Sequence, residues 1–125
     1  MGKILYVLIF ILSVFDPSNF REIDKMIGNA LRNGDAKELS KFFTSSVKIS
    51  IHRNVQIASK YQAELIVSEY LSENKLSEIK ISRLNESQPN HLVVYNAKTH
   101  NKPIRILIKT VKLKESEFIS EFRVE

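Results

Sequence analysis

The residues able to do chemistry are few and scattered. His52, His91 and His100 share no ligand spacing, there is no cysteine, and no Ser–His or Cys–His arrangement or glycine-rich phosphate loop appears anywhere in the 125 residues. That excludes a zinc ribbon, thiol catalysis and a disulfide framework, and predicts no metal and no cofactor. Asp24 and Lys25, like Glu69 and Glu73, read as solvated helix faces. Beyond Asp35 there is no aspartate, and Glu121 is the one acid inside the last two predicted strands apart from the terminal Glu125. No paired-carboxylate site is expected. What remains is a set of cationic and hydrogen-bonding groups, Arg83, His91, Tyr95, Lys109 and Ser120, whose meaning depends on which way their strands face.

Those strands are marked by polarity alternating every second residue. Segments 78–84, 91–99, 103–113 and 118–124 follow one another, separated by turn-rich stretches at 85–90, 100–103 and 114–117. The pattern predicts an antiparallel run. With turns centred near Ser87-Gln88, Asn101 and Glu115-Ser116, one row across the sheet is Ile81, Tyr95, Leu107 and Val124. The next is Arg83, Val93, Lys109 and Phe122, and a third is Asn85, His91, Val111 and Ser120.

That face carries most of the large apolar residues, so helices should cover it. Its polar end would then form a cationic mouth suited to a small anionic or apolar ligand, with Lys109 as the inward charge and Tyr95 and Ser120 as hydrogen-bonding groups. A bulge in either hairpin would turn Lys109 outward, and long cationic side chains near a sheet edge also snorkel to water. The other face collects Leu92, Val94, Ile104, Ile106, Ile108 and Ile119, aliphatic enough to predict a homodimer through the sheet.

Earlier in the chain the punctuation is helical. Ser18-Asn19 opens a segment with Phe20, Ile23, Ile27 and Leu31 on one side, closed by Asn33-Gly34, and Gly28 inside it permits close packing. Asp35 to Glu38 has the spacing of a capping box, with Leu39, Phe42 and Phe43 behind it. Val47, Ile49, Ile51, Val55 and Ile57 alternate around an Arg53-Asn54 turn and predict a short hairpin. Ser59 to Gln62 is another capping box, and Ala63, Ile66, Val67, Tyr70 and Leu71 mark a third helix ending near Asn74.

Residues 1–15 stand apart. Lys3 precedes an apolar run from Ile4 to Leu12, extended by Val14 and Phe15 and stopped by Asp16-Pro17. This is the layout of a signal peptide, too short for a stable membrane span, and it predicts export to the periplasm or cell envelope with one domain over residues 19–125. The net charge of +5 is spread among glutamates instead of forming a stripe, so no nucleic-acid partner is expected.

The order α-α-β-β-α-β-β-β-β resembles the cone-like α+β fold of the nuclear transport factor 2-like superfamily. More narrowly, Asn29-Ala30, the run from Asn33 to Phe43, Ser59 to Glu64 and the ending Ile119 to Glu125 resemble an exported Bacteroidetes family called domain of unknown function 4783. The resemblance implies helices packed on a curved antiparallel sheet, and it implies no catalytic residue. It points to an exported module that binds a small ligand or a protein partner. The alternative is an isomerase or dehydratase acting in the cone, whose steroid isomerase-like members need a carboxylate base opposite a tyrosine and a second acid.

Overall fold

The computed structural model describes residues 21–85 and 90–125. The predicted signal peptide, the Ser18-Asn19 helix start and the turn residues 86–89 lie outside them. Three helices and six strands follow in the order α1 (Glu22–Asn33), α2 (Ala36–Ser40), β1 (Phe43–Ile51), β2 (Asn54–Ser59), α3 (Lys60–Glu73), β3 (Ser77–Asn85), β4 (Asn90–Thr99), β5 (Lys102–Leu113) and β6 (Ser116–Val124). One sheet holds all six strands in the order β2-β1-β6-β5-β4-β3. All neighbours are antiparallel except β1 and β6, which run parallel. This is the mixed α+β architecture that the element order implied.

The local signals account for the helices. Gly34 takes the left-handed conformation (φ 65°) and its N–H returns to the carbonyls of Ala30 and Leu31, ending α1. Asp35 accepts from the Glu38 N–H at the start of α2. At Ser59 both halves of the capping box form, so the chain turns from β2 straight into α3. The hydrophobic core fills the space between the helices and the sheet, with Ile27, Leu39, Val67, Tyr95, Ile106 and Phe122 all fully buried.

The strand register overturns part of the predicted rows. Tyr95 faces Ile81 and Ile106, and Ile106 faces Val124, while Val93 faces Arg83 and Ile108, and Ile108 faces Phe122. In these two rows the residues on β3, β4 and β6 stand as the sequence suggested and β5 is displaced by one; in the third row His91 faces Thr110, Thr110 faces Ile119 in place of Ser120, and Asn85 slips to Leu92. The cause is turn geometry. His100 and Asn101 form a two-residue turn with both φ positive (52° and 63°), and Lys114-Glu115 form another with Lys114 at φ 58°. The β4–β5 turn is centred half a residue earlier than Asn101, and the β5–β6 turn a full residue earlier than Glu115-Ser116, with a bulge between Ile119 and Glu121 taking back half of that. A one-residue slip reverses every side chain of β5, so Ile104, Ile106 and Ile108 belong to the core and Leu107 and Lys109 to the outer face. Ile119 is core as well, which leaves Leu92, Val94, Leu107 and Val111 as the aliphatic residues of the outer face around Lys109.

Smaller departures have similar reasons. The first hairpin turns at His52-Arg53, with His52 at φ 56°, one residue ahead of the predicted turn. Phe43 is the first residue of β1 and pairs with Ile119, so it extends a strand instead of a helix.

Candidate functional site

Two places between helices and sheet gather polar side chains. The first lies where the start of α1 meets β5 and β6. Asp24 occupies the same stripe of α1 as Ile27, Gly28 and Leu31, three or four residues apart, and it is fully buried. The solvated face expected for it is therefore corrected. Arg21 grips its carboxylate with two parallel bonds, Nη2 to Oδ1 at 3.0 Å and Nε to Oδ2 at 3.1 Å. The same guanidinium reaches the Glu117 carboxylate through Nη1 and the Thr110 hydroxyl through Nη2 at 3.4 Å, and Thr110 donates to Glu117 at 3.1 Å. Burial works against the Arg21 charge, but the hydrogen bonds and attraction of Asp24 and Glu117 outweigh it and raise its pKa.

Tyr95 closes this cluster from below. Its hydroxyl donates to the Asp24 carbonyl at 2.8 Å, and burial, with the nearby Asp24 charge adding, raises its pKa far above the ordinary range. Gly28 lies against its ring, where a Cβ would stand 3.5 Å from Cε2.

The five predicted mouth residues do not converge. Tyr95 is inside the core beneath Asp24. His91 stands opposite Thr110 on the inner face, partly buried. The backbone of Arg83 pairs with Val93 on that same face, and its side chain lies outside the described residues. Lys109 faces away from all three, between the register partners Leu92 and Glu121. Ser120 is the extra residue of the β6 bulge, since the pairing steps from Thr110–Ile119 to Lys109–Glu121, and its hydroxyl lies 3.4 Å from the Lys109 carbonyl. Lys109 as an inward charge is thus removed by the register, and Ser120 by the bulge.

The second place is a groove of about 290 Å³ between the β1–β2 hairpin and α3. Ile49, Ile51 and Ile66 give it an apolar floor, Asn54 and Gln56 of β2 form one wall, and Glu69 and Glu73, one helical turn apart, form the other. Tyr70 reaches into its base, with burial raising its hydroxyl pKa, and the His52 ring meets the Tyr70 ring edge-on, 6.4 Å between centroids. Chemically, this is an apolar slot with two exposed carboxylates and two side-chain amides at its rim. It suits a ligand with an apolar body and a donor or cationic end. The sequence offered a signal for it that the helix-face reading passed over, namely Ile66, Glu69, Tyr70 and Glu73 at spacings of three and four beside a strand with inward Asn54 and Gln56. Among the described residues no group of three or more His, Asp or Glu could hold a metal ion, and no helix is long and apolar enough to cross a membrane.

The family model described as Domain of unknown function (DUF4783) matches residues 24–125. The chain belongs to the DUF4783 family. Two solved structures of DUF4783 proteins share its fold. One from Bacteroides uniformis ATCC 8492 has a TM-score of 0.74 at 20% identity, covering 81% of this chain and 94% of that one. The other, from Bacteroides ovatus ATCC 8483, has a TM-score of 0.73 at 20% identity, covering 79% and 90%. An NTF2-like protein of unknown function from Cytophaga hutchinsonii ATCC 33406 aligns with a TM-score of 0.60 at 11% identity, covering 84% and 87%. No curated protein matches. At these identities the likeness establishes the NTF2-like fold of this DUF4783 domain, and the chemistry has to be argued from its own residues.

Proposed function

We infer that this chain is a non-catalytic binding module that takes a small ligand in the groove between the β1–β2 hairpin and α3. The observation carrying the reading is the pairing of an apolar floor (Ile49, Ile51, Ile66) with the Glu69 and Glu73 carboxylates on one wall. A ligand with an apolar body and an ammonium or other donor end fits that division. The expectation of an anionic ligand rested on an inward Lys109, and the register leaves it without that support.

The enzyme alternative has one observation in its favour: a buried carboxylate, Asp24, beside a tyrosine and a second acid, Glu117. Their hydrogen bonds argue against it. Both Asp24 oxygens accept from Arg21, the Tyr95 proton is given to a backbone carbonyl, and Glu117 accepts from Arg21 and Thr110. Groups so committed to one another hold the fold together and leave no aimed acid and base facing a substrate.

Export to the periplasm or cell envelope is part of the proposal, supported by Lys3 and the apolar run that follows it. Fractionation followed by mass measurement of the mature chain tests it, and a full-length chain in the cytoplasm overturns it. For the groove, hexylammonium, hexanol and hexanoate serve as matched probes followed by amide and methyl NMR shifts. Hexylammonium is expected to bind most tightly, with shifts at Ile49, Ile51, Ile66 and Tyr70. Tighter hexanoate binding with shifts around His91 would instead restore the cationic mouth.

A further inference from the structure

The two edges of the sheet are guarded unequally. Edge strand β3 carries Glu78 and Lys80, breaks register twice against β4, and has Glu78 at φ 52°, all devices that discourage another strand from adding to it. Edge strand β2 has none of them. Its sequence, Asn54-Val55-Gln56-Ile57-Ala58-Ser59, contains no charge and no proline, and its pairing with β1 is unbroken. Val55 is 58% exposed and Ile57 68%.

The hairpin dictates which backbone groups of β2 are left for a partner. Ile51 and Asn54 flank a two-residue turn and must be a hydrogen-bonded pair, so by alternation Asn54, Gln56 and Ala58 bond to β1. The N–H and C=O groups of Val55 and Ile57 point away from the sheet.

We propose that β2 pairs antiparallel with β2 of a second copy of this chain, centred on Gln56, joining two six-stranded sheets edge to edge. That register sets Val55 opposite the partner's Ile57 and Ile57 opposite the partner's Val55. All four outward N–H and C=O groups of these two residues are then satisfied on each copy, and the apolar side chains meet on the outer face. No like charges face each other within the strands. Because the strand pairs with itself about a twofold axis, the same uncharged residues serve both copies. The inference goes beyond the small-ligand reading and stands without it.

The chain has no cysteine, so single introduced thiols report the register cleanly. Two Gln56 residues at the dyad form a non-hydrogen-bonded pair with Cα atoms ~4.5 Å apart, inside disulfide range. Gln56→Cys is expected to give a covalent dimer on mild oxidation. Val55→Cys, displaced from its own copy along the strand, is expected to remain a free thiol. The native chain should sediment as a dimer, and Ile57→Lys as a monomer with unchanged far-UV circular dichroism. A native chain that stays monomeric at its highest soluble concentration overturns the proposal. So does a dimer that Leu92→Lys on the outer face dissociates while Gln56→Cys fails to cross-link, or a native mass spectrum of one chain carrying a foreign peptide.

Discussion

The Asp24 end and the Glu73 end of the helix–sheet interface use the same residue types to opposite effect. Each sets carboxylates beside a tyrosine between a helix and the inner face of the sheet. At the Asp24 end every polar group is spent inside the fold: Arg21 on Asp24 and Glu117, Thr110 on Glu117, Tyr95 on the Asp24 carbonyl. At the Glu73 end the carboxylates of Glu69 and Glu73 are exposed beside an apolar slot. Residue identity therefore does not separate a structural cluster from a binding surface. The difference is whether the partners come from the chain itself.

The sharpest way to break this comparison is Arg21→Ala. Removing the cation leaves Asp24 buried with its largest compensating partner gone, and the expected loss is about 3–5 kcal/mol of unfolding free energy by urea titration. Replacing both together, Arg21→Met with Asp24→Leu, should cost far less than the two single changes summed, because no uncompensated charge remains. Additive losses would mean that the two side chains are not coupled, and the Asp24 end would then no longer differ in kind from the other.

Asp24 also marks the limit of what the sequence made legible. The helices, their caps and the four-strand run could be read because each rests on spacing within a dozen residues. The register of β5 could not, since it turns on whether His100-Asn101 and Lys114-Glu115 are two-residue turns. Positive φ at His100 and Lys114 carries no glycine or Asn-Gly signature. The half-residue shift of the β4–β5 turn sent Lys109 to the wrong face. Asp24 was hidden differently: its partner Arg21 is only three residues away, but the groups that enclose the pair are distant, Tyr95 lying 71 residues from Asp24 and Glu117 96 from Arg21. The parallel pairing of β1 with β6 is likewise a long-range contact that no local pattern announces.

Tyr95→Phe probes the seal at the same end. The hydrogen bond to the Asp24 carbonyl is lost, leaving a buried acceptor short of a partner, at an expected cost of about 1–2 kcal/mol near neutral pH. The pH dependence should change as well. Burial raises the folded-state pKa of Tyr95 above the ordinary 10.0, so its contribution is fully present below pH 10.0 and is lost as pH rises beyond it. Urea titrations between pH 9 and 11 should show native stability falling more steeply than that of Tyr95→Phe. Parallel curves would mean that the hydroxyl ionises as readily folded as unfolded, and the end is not sealed.

Gly28→Ala sharpens the picture with a gain. A Cβ there would meet Tyr95 Cε2 at 3.5 Å and Ile81 Cδ1 at 3.8 Å, ordinary contact distances, in the interior of α1 where glycine is costly. About 0.5–1 kcal/mol of added stability is expected, read as a higher urea midpoint.

The smallest stability effect belongs to the open end. Glu69 and Glu73 are exposed, with Lys60 and Glu64 the other charged residues on the preceding turns of α3, so Glu69→Gln and Glu73→Gln should each change stability by no more than about 0.5 kcal/mol. Their effect should appear in selectivity. With both carboxylates neutralised, the apolar floor of Ile49, Ile51 and Ile66 is untouched, so hexanol should bind as before. Hexylammonium should fall to the level of hexanol. If the double variant instead loses stability comparable to Arg21→Ala, the acids of α3 are structural like Asp24. If hexylammonium keeps its advantage over hexanol, the cation is recognised elsewhere, and the groove is an apolar slot without charge preference.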